Sequence, residues 1–135
     1  MSWRCIWLIA VFFVFVVTGC QTENKSAVIE SSMTEICVSK SKAFGKMNEN
    51  YFAAYREKDK LAVFKHALNT AQKEKRQHQR MDYDLLIKEG NGYYLVQLYL
   101  GKDGESSAFM YIGYEDSTYV TTKEATEELR NILKE

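Results

Sequence analysis

The sequence predicts an α+β domain in which an antiparallel β-meander of about four to five strands carries two α-helices packed on one face. Two observations lead to this fold class. Apolar residues recur at steps of three and four over residues 58–75 and again near the C-terminus, which is the spacing of amphipathic helices. From residue 83 onward the apolar residues instead alternate with a period of two, interrupted by glycine-containing turns, as in consecutive antiparallel strands.

One or two of these strands are predicted in the N-terminal part of the domain, ahead of a meander of three to four. Residues 35–41 alternate, with Ile36 and Val38 on one face and Cys37 on the other. Residues 51–55 fit either a short strand or a helical turn, and their alternation favours the strand.

Two helices follow from the spacing of the apolar residues and from their expected caps. The first is predicted over 58 to about 75, with Asp59 as N-cap, and the second begins at Thr121, which has capping-box spacing from Glu124. The apolar stripes consist of Leu61, Phe64, Leu68 and Ala71 in the first helix and Ala125, Leu129, Ile132 and Leu133 in the second.

Aromatic residues of the meander suggest a binding surface. The strands are predicted over 83–88, 93–100, 106–114 and 118–120, and alternation within them separates two sets of side chains. An aliphatic set of Val96, Leu98, Met110 and Ile112 is expected under the helices. The other set would form a half-exposed face for a protein, peptide or glycan, unless the N-terminal elements cover it; it consists of Tyr93, Tyr99, Phe109 and Tyr111.

The N-terminus has the order of a signal peptide. Arg4 precedes residues 6–17, an apolar run that contains no charged residue and is followed by polar sequence. A helix that spans a bilayer needs about 20 apolar residues, so this shorter run fits a signal core better, although an uncleaved N-terminal anchor is the alternative. The domain faces outward in either case.

The end of this run, Val17-Thr18-Gly19-Cys20, resembles a bacterial lipobox. The resemblance implies cleavage after Gly19 and a diacylglyceryl thioether on Cys20, so that the lipid holds the chain on the outer face of the cell membrane. The chain then divides into a lipoprotein signal peptide over 1–19, the lipidated cysteine with a flexible linker over 20–33, and one α+β domain over 34–135.

Several short motifs along the domain carry a second resemblance. They are Phe44-Gly45-Lys46, Asn48-Glu49-Asn50-Tyr51-Phe52, Phe64-Lys65-His66-Ala67, Asp82-Tyr83-Asp84, Leu98-Tyr99-Leu100-Gly101 and Met110-Tyr111-Ile112-Gly113. Together with the lipobox, they resemble the YhfM-like small lipoproteins of Bacillus-type bacteria. The resemblance implies a membrane-anchored extracellular domain for which the family offers no established activity.

Composition and motifs exclude several kinds of function. The 135 residues carry a formal net charge of zero, which argues against a nucleic-acid-binding protein. Cys37 stands alone after the lipobox, and it is expected to be a small buried residue rather than a nucleophile or metal ligand. His66 and His78 are expected on the solvated surface, so neither a metal site nor a cofactor is predicted.

The sequence shows no recognisable catalytic triad, nucleotide-binding loop or pair of catalytic carboxylates. Asp82 and Asp84 share a strand face, but acidic residues are common where strands begin. The prediction is therefore a monomeric, non-enzymatic binding or accessory module attached to the membrane by its lipid. The alternative is a structural or regulatory subunit of another membrane or cell-envelope protein, and an enzyme is the third class.

Overall fold

The computed structural model describes residues 32–75, 78 and 80–134. The signal peptide predicted over 1–19 and the linker as far as residue 31 lie outside the described residues. The first strand already begins at Met33, one residue before the predicted start of the domain.

Seven antiparallel strands form one sheet, and two helices pack on the same face of it. The strands are β1 (Met33–Lys40), β2 (Ala53–Tyr55), β3 (Gln72–Lys75), β4 (Tyr83–Glu89), β5 (Gly92–Tyr99), β6 (Ala108–Tyr111) and β7 (Ser117–Val120). Their order across the sheet is β2-β1-β4-β5-β6-β7-β3. The helices are α1 (Lys58–Thr70), which follows β2, and α2 (Lys123–Leu133), which follows β7. The predicted α+β class is confirmed, although the sheet has more strands than the predicted four to five.

One strand that was not predicted at all, β3, comes from residues that were predicted to end the first helix. α1 ends at Thr70, whose hydroxyl donates to His66 O at 2.7 Å, and Ala71 already has an extended backbone. Residues 72–75 then pair with β7 as an edge strand. All four side chains of β3 are exposed, so no apolar alternation marks this strand, and its partner lies more than forty residues away in sequence.

The apolar core lies between the sheet and the two helices. Phe64 and Leu68 of α1 and Leu129 of α2 are fully buried against Leu85 and Leu98 of the central strands. Burying side chains of this size stabilises the fold by about 1.5–3 kcal/mol each. Neither helix in the described part of the chain is both long and apolar enough to cross a membrane.

The helix caps differ by a residue or two from the predicted ones. Asp59 lies within the first turn of α1, and Glu57 precedes the helix without a side-chain cap. The N-cap of α2 is Thr122, whose hydroxyl accepts from Ala125 N at 3.1 Å. Thr121 is instead buried, because its hydroxyl lies in a cluster with those of Ser107 and Thr126.

The pairing of β5 with β6 determines which aromatic residues share a face. Leu98 lies opposite Phe109, and Val96 lies opposite Tyr111. Because directly paired residues point to the same side of a sheet, Phe109 and Tyr111 lie on the face that the helices cover. The prediction that they share a face with Tyr93 and Tyr99 was wrong. Met110 was likewise assigned to the wrong face, since it pairs with Gln97 on the side opposite the helices.

Candidate functional site

The three central strands end together around a cavity at one end of the sheet. β1 and β5 finish there and β4 begins there, because β4 is antiparallel to both neighbours. The cavity has a volume of about 360 Å³. It is lined by Lys40, Ser41, Arg80, Met81, Asp82, Tyr83, Leu100 and Gly101.

The backbone holds Asp82 in place within this cavity. Its amide donates to Leu98 O at 2.8 Å, and its carbonyl accepts from Ser41 N at 3.0 Å. The side-chain oxygen Oδ2 accepts from Leu100 N at 2.8 Å. This arrangement fixes the carboxylate beside the cavity while the bond from Leu100 uses one of its two oxygens.

The cavity also contains cationic and aromatic side chains. Lys40 Nζ donates to Tyr83 Oη at 3.0 Å and lies 4.2 Å from the centre of the Tyr83 ring. The same ammonium lies 5.8 Å from the centre of the Phe52 ring, at the distance of a cation–π contact. With Arg80 it places two positive charges around the cavity, which suits a ligand that carries or develops negative charge.

Tyr99 stands beside this cavity in a group of stacked and hydrogen-bonded side chains. Its ring stacks on His78 with a centroid distance of 3.9 Å, and its hydroxyl donates to Glu105 Oε2 at 3.0 Å. That hydrogen bond is the main cause of a raised pKa for Tyr99. Glu105 also accepts from Lys102 N, which together with Tyr99 lowers the pKa of the Glu105 carboxyl.

Gly101 is required at the turn between Tyr99 and Glu105. Its φ is +79°, and a Cβ there would lie 3.1 Å from both Cβ and Oε2 of Glu105. A side chain at this position would therefore strain the backbone and also displace the Glu105 carboxylate.

On the face of the sheet opposite the helices, a cluster of buried polar side chains binds the loop that follows β1 and begins with Ser41. Asp84 and Gln97 lie opposite each other on β4 and β5, and both are fully buried. Asp84 Oδ1 accepts from Gln97 Nε2 at 2.8 Å, and Asp84 Oδ2 accepts from Asn48 N at 2.7 Å. The carboxylate therefore binds both its strand neighbour and the loop that follows β1.

Gln97 holds the same loop at several points. Its Oε1 accepts from Gly45 N at 2.9 Å. Its Nε2 lies within hydrogen-bond distance of Ser41 Oγ, Ala43 O and Lys46 O, at 3.0–3.2 Å. One amide side chain thus satisfies backbone groups that would otherwise be buried without partners beneath the loop.

The four aromatic residues predicted to bind a ligand do not form one surface. Tyr93 is 66% exposed and Tyr99 is partly buried, and both lie on the face opposite the helices. Phe109 is fully buried in the core. Tyr111 is partly buried between Tyr94 and Tyr119 in edge-to-face contacts, and burial raises its pKa.

Cys37 is buried, as predicted, and lies in a charged cluster that was not predicted. Its thiol donates to Glu35 Oε1 at 3.1 Å, and the same carboxylate pairs with Arg56 and with Lys88 Nζ, the latter at 2.7 Å. Burial, followed by the Glu35 carboxylate, raises the pKa of Cys37, so the thiol is a poor nucleophile. Across the described residues, no group of three or more His, Cys, Asp or Glu side chains could hold a metal ion.

No role was predicted for Lys40 or Ser41, and Asp82 was interpreted as an acidic residue at an ordinary strand start. One signal was present. A polar residue stands near the cavity end of each of three neighbouring strands, at Ser39, Asp84 and Gln97. Alternation would place apolar residues at these positions if another element with an apolar surface packed on that face. These positions indicate a polar loop lying over the sheet.

Comparisons with known proteins give a likeness in fold. No family model and no curated protein matches the chain. A solved structure of a thioesterase-like protein from Clostridium sporogenes is similar, with a TM-score of 0.61 and 23% sequence identity. The match covers 76% of this chain and 94% of that one.

This likeness corrects the functional prediction. The chain was predicted to be a non-enzymatic binding or accessory module, with a structural or regulatory subunit as the alternative. That prediction was wrong, because the fold is shared with a protein described as thioesterase-like. Linear motifs did not indicate this cavity, because its residues come from three separate strand ends.

Proposed function

We propose that this chain is a lipid-anchored extracytoplasmic protein that hydrolyses an ester or thioester of an anionic acyl compound in the cavity at the end of β1, β4 and β5. The lipobox-like residues before Cys20 support the anchor, with a signal peptide over 1–19. The observation that carries the reaction is the meeting of Asp82 with Lys40 and Arg80 around one cavity.

The roles follow from the chemistry of the three groups. The Asp82 carboxylate accepts a proton from a water molecule as that water attacks the acyl carbon. The Lys40 ammonium stabilises the negative charge that develops on the acyl oxygen, and Arg80 pairs with an acidic group elsewhere on the substrate. The carbon–sulfur or carbon–oxygen bond then breaks, and the proton passes from Asp82 to the departing thiolate or alkoxide. The products are a carboxylic acid and a thiol or alcohol.

The fold supports thioesters as the first substrates to test, because the similar solved protein is described as thioesterase-like. The purified full chain would be assayed with acetyl-, hexanoyl- and palmitoyl-coenzyme A, following thiol release, and with the corresponding p-nitrophenyl esters. Asp82→Asn keeps an oxygen that can accept from Leu100 N but removes the base. We expect it to lower turnover by a factor of about 10² or more, as is typical for loss of a general base.

Asp116→Asn is the matched control, because Asp116 is an exposed aspartate in the turn between β6 and β7. It is expected to keep the wild-type rate. The proposal would be rejected if the wild-type protein hydrolyses none of these compounds, or if Asp82→Asn and Asp116→Asn have equal rates.

A further inference from the structure

The three most exposed tyrosines lie at the end of the sheet that is far from the cavity. We propose that this end of the domain rests on a membrane, with these rings at the boundary between lipid headgroups and acyl chains. The inference depends on the proposed lipid anchor at Cys20 but not on the proposed reaction.

The described chain begins at this end of the sheet. Met33 of β1 pairs with Glu89 at the end of β4, and Ser32 Oγ donates to Glu89 Oε1 at 3.0 Å. The chain therefore enters the domain beside the turn that joins β4 to β5. Residues 20–31 separate Cys20 from this point, and such a stretch can span no more than about 40 Å even when fully extended.

The exposed rings lie close to this entry point. Tyr93 and Tyr94 are the second and third residues of β5, are 66% and 42% exposed, and point to opposite faces of the sheet. Tyr114 is 73% exposed in the turn after β6. That turn lies toward the same end, because Ile112 donates to Leu95 O as the chain leaves β6.

The chemistry of these rings suits a lipid interface. A tyrosine has an apolar ring and a polar hydroxyl, and such side chains are enriched where hydrocarbon meets headgroups. Phe52, at 52% exposure, is also a large exposed aromatic, but it lies beside Lys40 at the other end of the sheet. A short tether also keeps the local concentration of lipid high, so even a weak contact is populated.

Charge predicts how the contact should respond to salt. Glu89 ends β4 next to the turn that leads to Tyr93, and Glu115 and Asp116 follow Tyr114 in the chain. Lys88, which pairs with Tyr93 across the strands, is bound to Glu35. Acidic side chains are not attracted to anionic lipids, so the contact depends on the rings and on the tether rather than on Coulombic attraction. It should therefore persist at high ionic strength.

The orientation has a consequence for the substrate. β4 runs from the cavity at Tyr83 to the membrane end at Glu89, a length of about 20 Å. The cavity then opens away from the bilayer, so the substrate it takes is a water-soluble compound rather than a membrane lipid.

The natural tryptophan distribution allows a direct test. Trp3 and Trp7 are the only tryptophans, and both lie in the predicted signal peptide. The processed full-length product of a Tyr93→Trp gene would thus carry one tryptophan, at the proposed membrane end. It would be purified from membranes and reconstituted into phosphatidylcholine vesicles with and without brominated acyl chains, which quench nearby tryptophan. Phe52→Trp is the matched control at the cavity end.

We expect brominated lipid to quench Trp fluorescence at least twofold in Tyr93→Trp and to leave Phe52→Trp unchanged, at both 0.05 and 0.5 M NaCl. Tyr114→Trp provides the same readout if Tyr93→Trp does not fold. Equal quenching at the two ends, or none at either, would overturn the proposed orientation. A dimer that dissociates when Tyr93 and Tyr94 become serine would also overturn it, in favour of a second copy on this surface.

Labelling with palmitate tests the proposed anchor independently of the proposed orientation. Radiolabelled palmitate should enter the wild-type protein and Tyr93→Trp but not Cys20→Ala. If the label is absent from the wild type, the proposed anchor is wrong and the docking proposal falls with it. If the label is present but Tyr93→Trp and Phe52→Trp are quenched alike, only the proposed orientation is wrong. The rate of thioester hydrolysis tests the proposed reaction and affects neither conclusion.

Discussion

The two faces of the sheet are both buried in their centres, but by different means. Under the helices, Leu85, Val96 and Phe109 form an apolar core. On the other side, Asp84 and Gln97 are equally inaccessible to solvent, beneath the loop that follows β1. A helix satisfies its own backbone and offers only side chains to the sheet, whereas an irregular loop brings unpaired amides and carbonyls that need polar partners. Burial by a loop therefore favours polar residues at the strand positions that the loop covers.

The largest expected difference in stability is between substitutions of Phe109 and Tyr99, which the alternation of residues predicted to lie on the same face of the sheet. Phe109→Ala should lower the free energy of unfolding by about 3–5 kcal/mol, because it opens a cavity in the helix-covered core. Tyr99→Ala should cost about 1 kcal/mol, since Tyr99 is only partly buried and contacts His78 and Glu105 at the surface. Urea unfolding followed by circular dichroism measures both values. Equal losses would show that the register of β5 with β6 is not as described.

The second prediction concerns the loop-covered face. Gln97→Met keeps the volume of the side chain but removes the amide that binds Gly45 N, Ala43 O and Asp84. We expect a loss of about 2–3 kcal/mol in unfolding free energy, because buried polar groups are left without partners. Amide hydrogen exchange at Gly45 should also become faster.

Gln72→Met is the control for this substitution, because Gln72 is an exposed glutamine in the edge strand β3. It should be within about 0.5 kcal/mol of wild type, as is usual for surface positions. If Gln97→Met also changes the unfolding free energy by less than about 0.5 kcal/mol, the hydrogen bonds of the Gln97 amide do not contribute to stability. The polar character of this face would then have no energetic consequence.

The elements with strong periodicity were predictable from sequence. β1, β4 and β5 and both helices have apolar spacings that match their final faces, as Leu85 and Leu129 show. The edge strand β3 was not predictable, because none of its four residues is buried. The relative register of β5 and β6 was also inaccessible, since a shift of one residue in the connection after Gly101 reverses the facing of Phe109.

The candidate site was harder to predict than the fold. Its residues come from separate strand ends, and only the pairing of β4 with both β1 and β5 brings Lys40, Asp82 and Leu100 to one cavity. Individually, each is an ordinary residue at the end of a strand. The buried polar positions Asp84 and Gln97 were visible in the sequence, but their meaning depended on knowing that a loop covers them.

The smallest expected effect lies at the edge of the loop-covered face, where Glu35 carries the clearest acid dependence. Hydrogen bonds from Lys88, then from Cys37 and Arg56, lower the pKa of Glu35 to about 2. In the unfolded chain a glutamate titrates near 4.3, so the unfolded state binds the proton first as the pH falls. The contribution of Glu35 is thus complete above about pH 5 and is lost progressively as the pH falls toward 2.

Glu35→Gln should flatten the decline of stability over this pH range, measured as the urea midpoint at successive pH values. The effect should be modest, because the side chains of Arg56 and Lys88 are 71% and 48% exposed, and solvent screens their attraction. Lys88→Met removes the strongest of the three partners and should flatten the same decline to a smaller extent. If Glu35→Gln and wild type lose stability in parallel between pH 5 and 2, the acid dependence belongs to other carboxylates. The ion pairs of Glu35 with Arg56 and Lys88 would then make no measurable contribution to the stability of the fold.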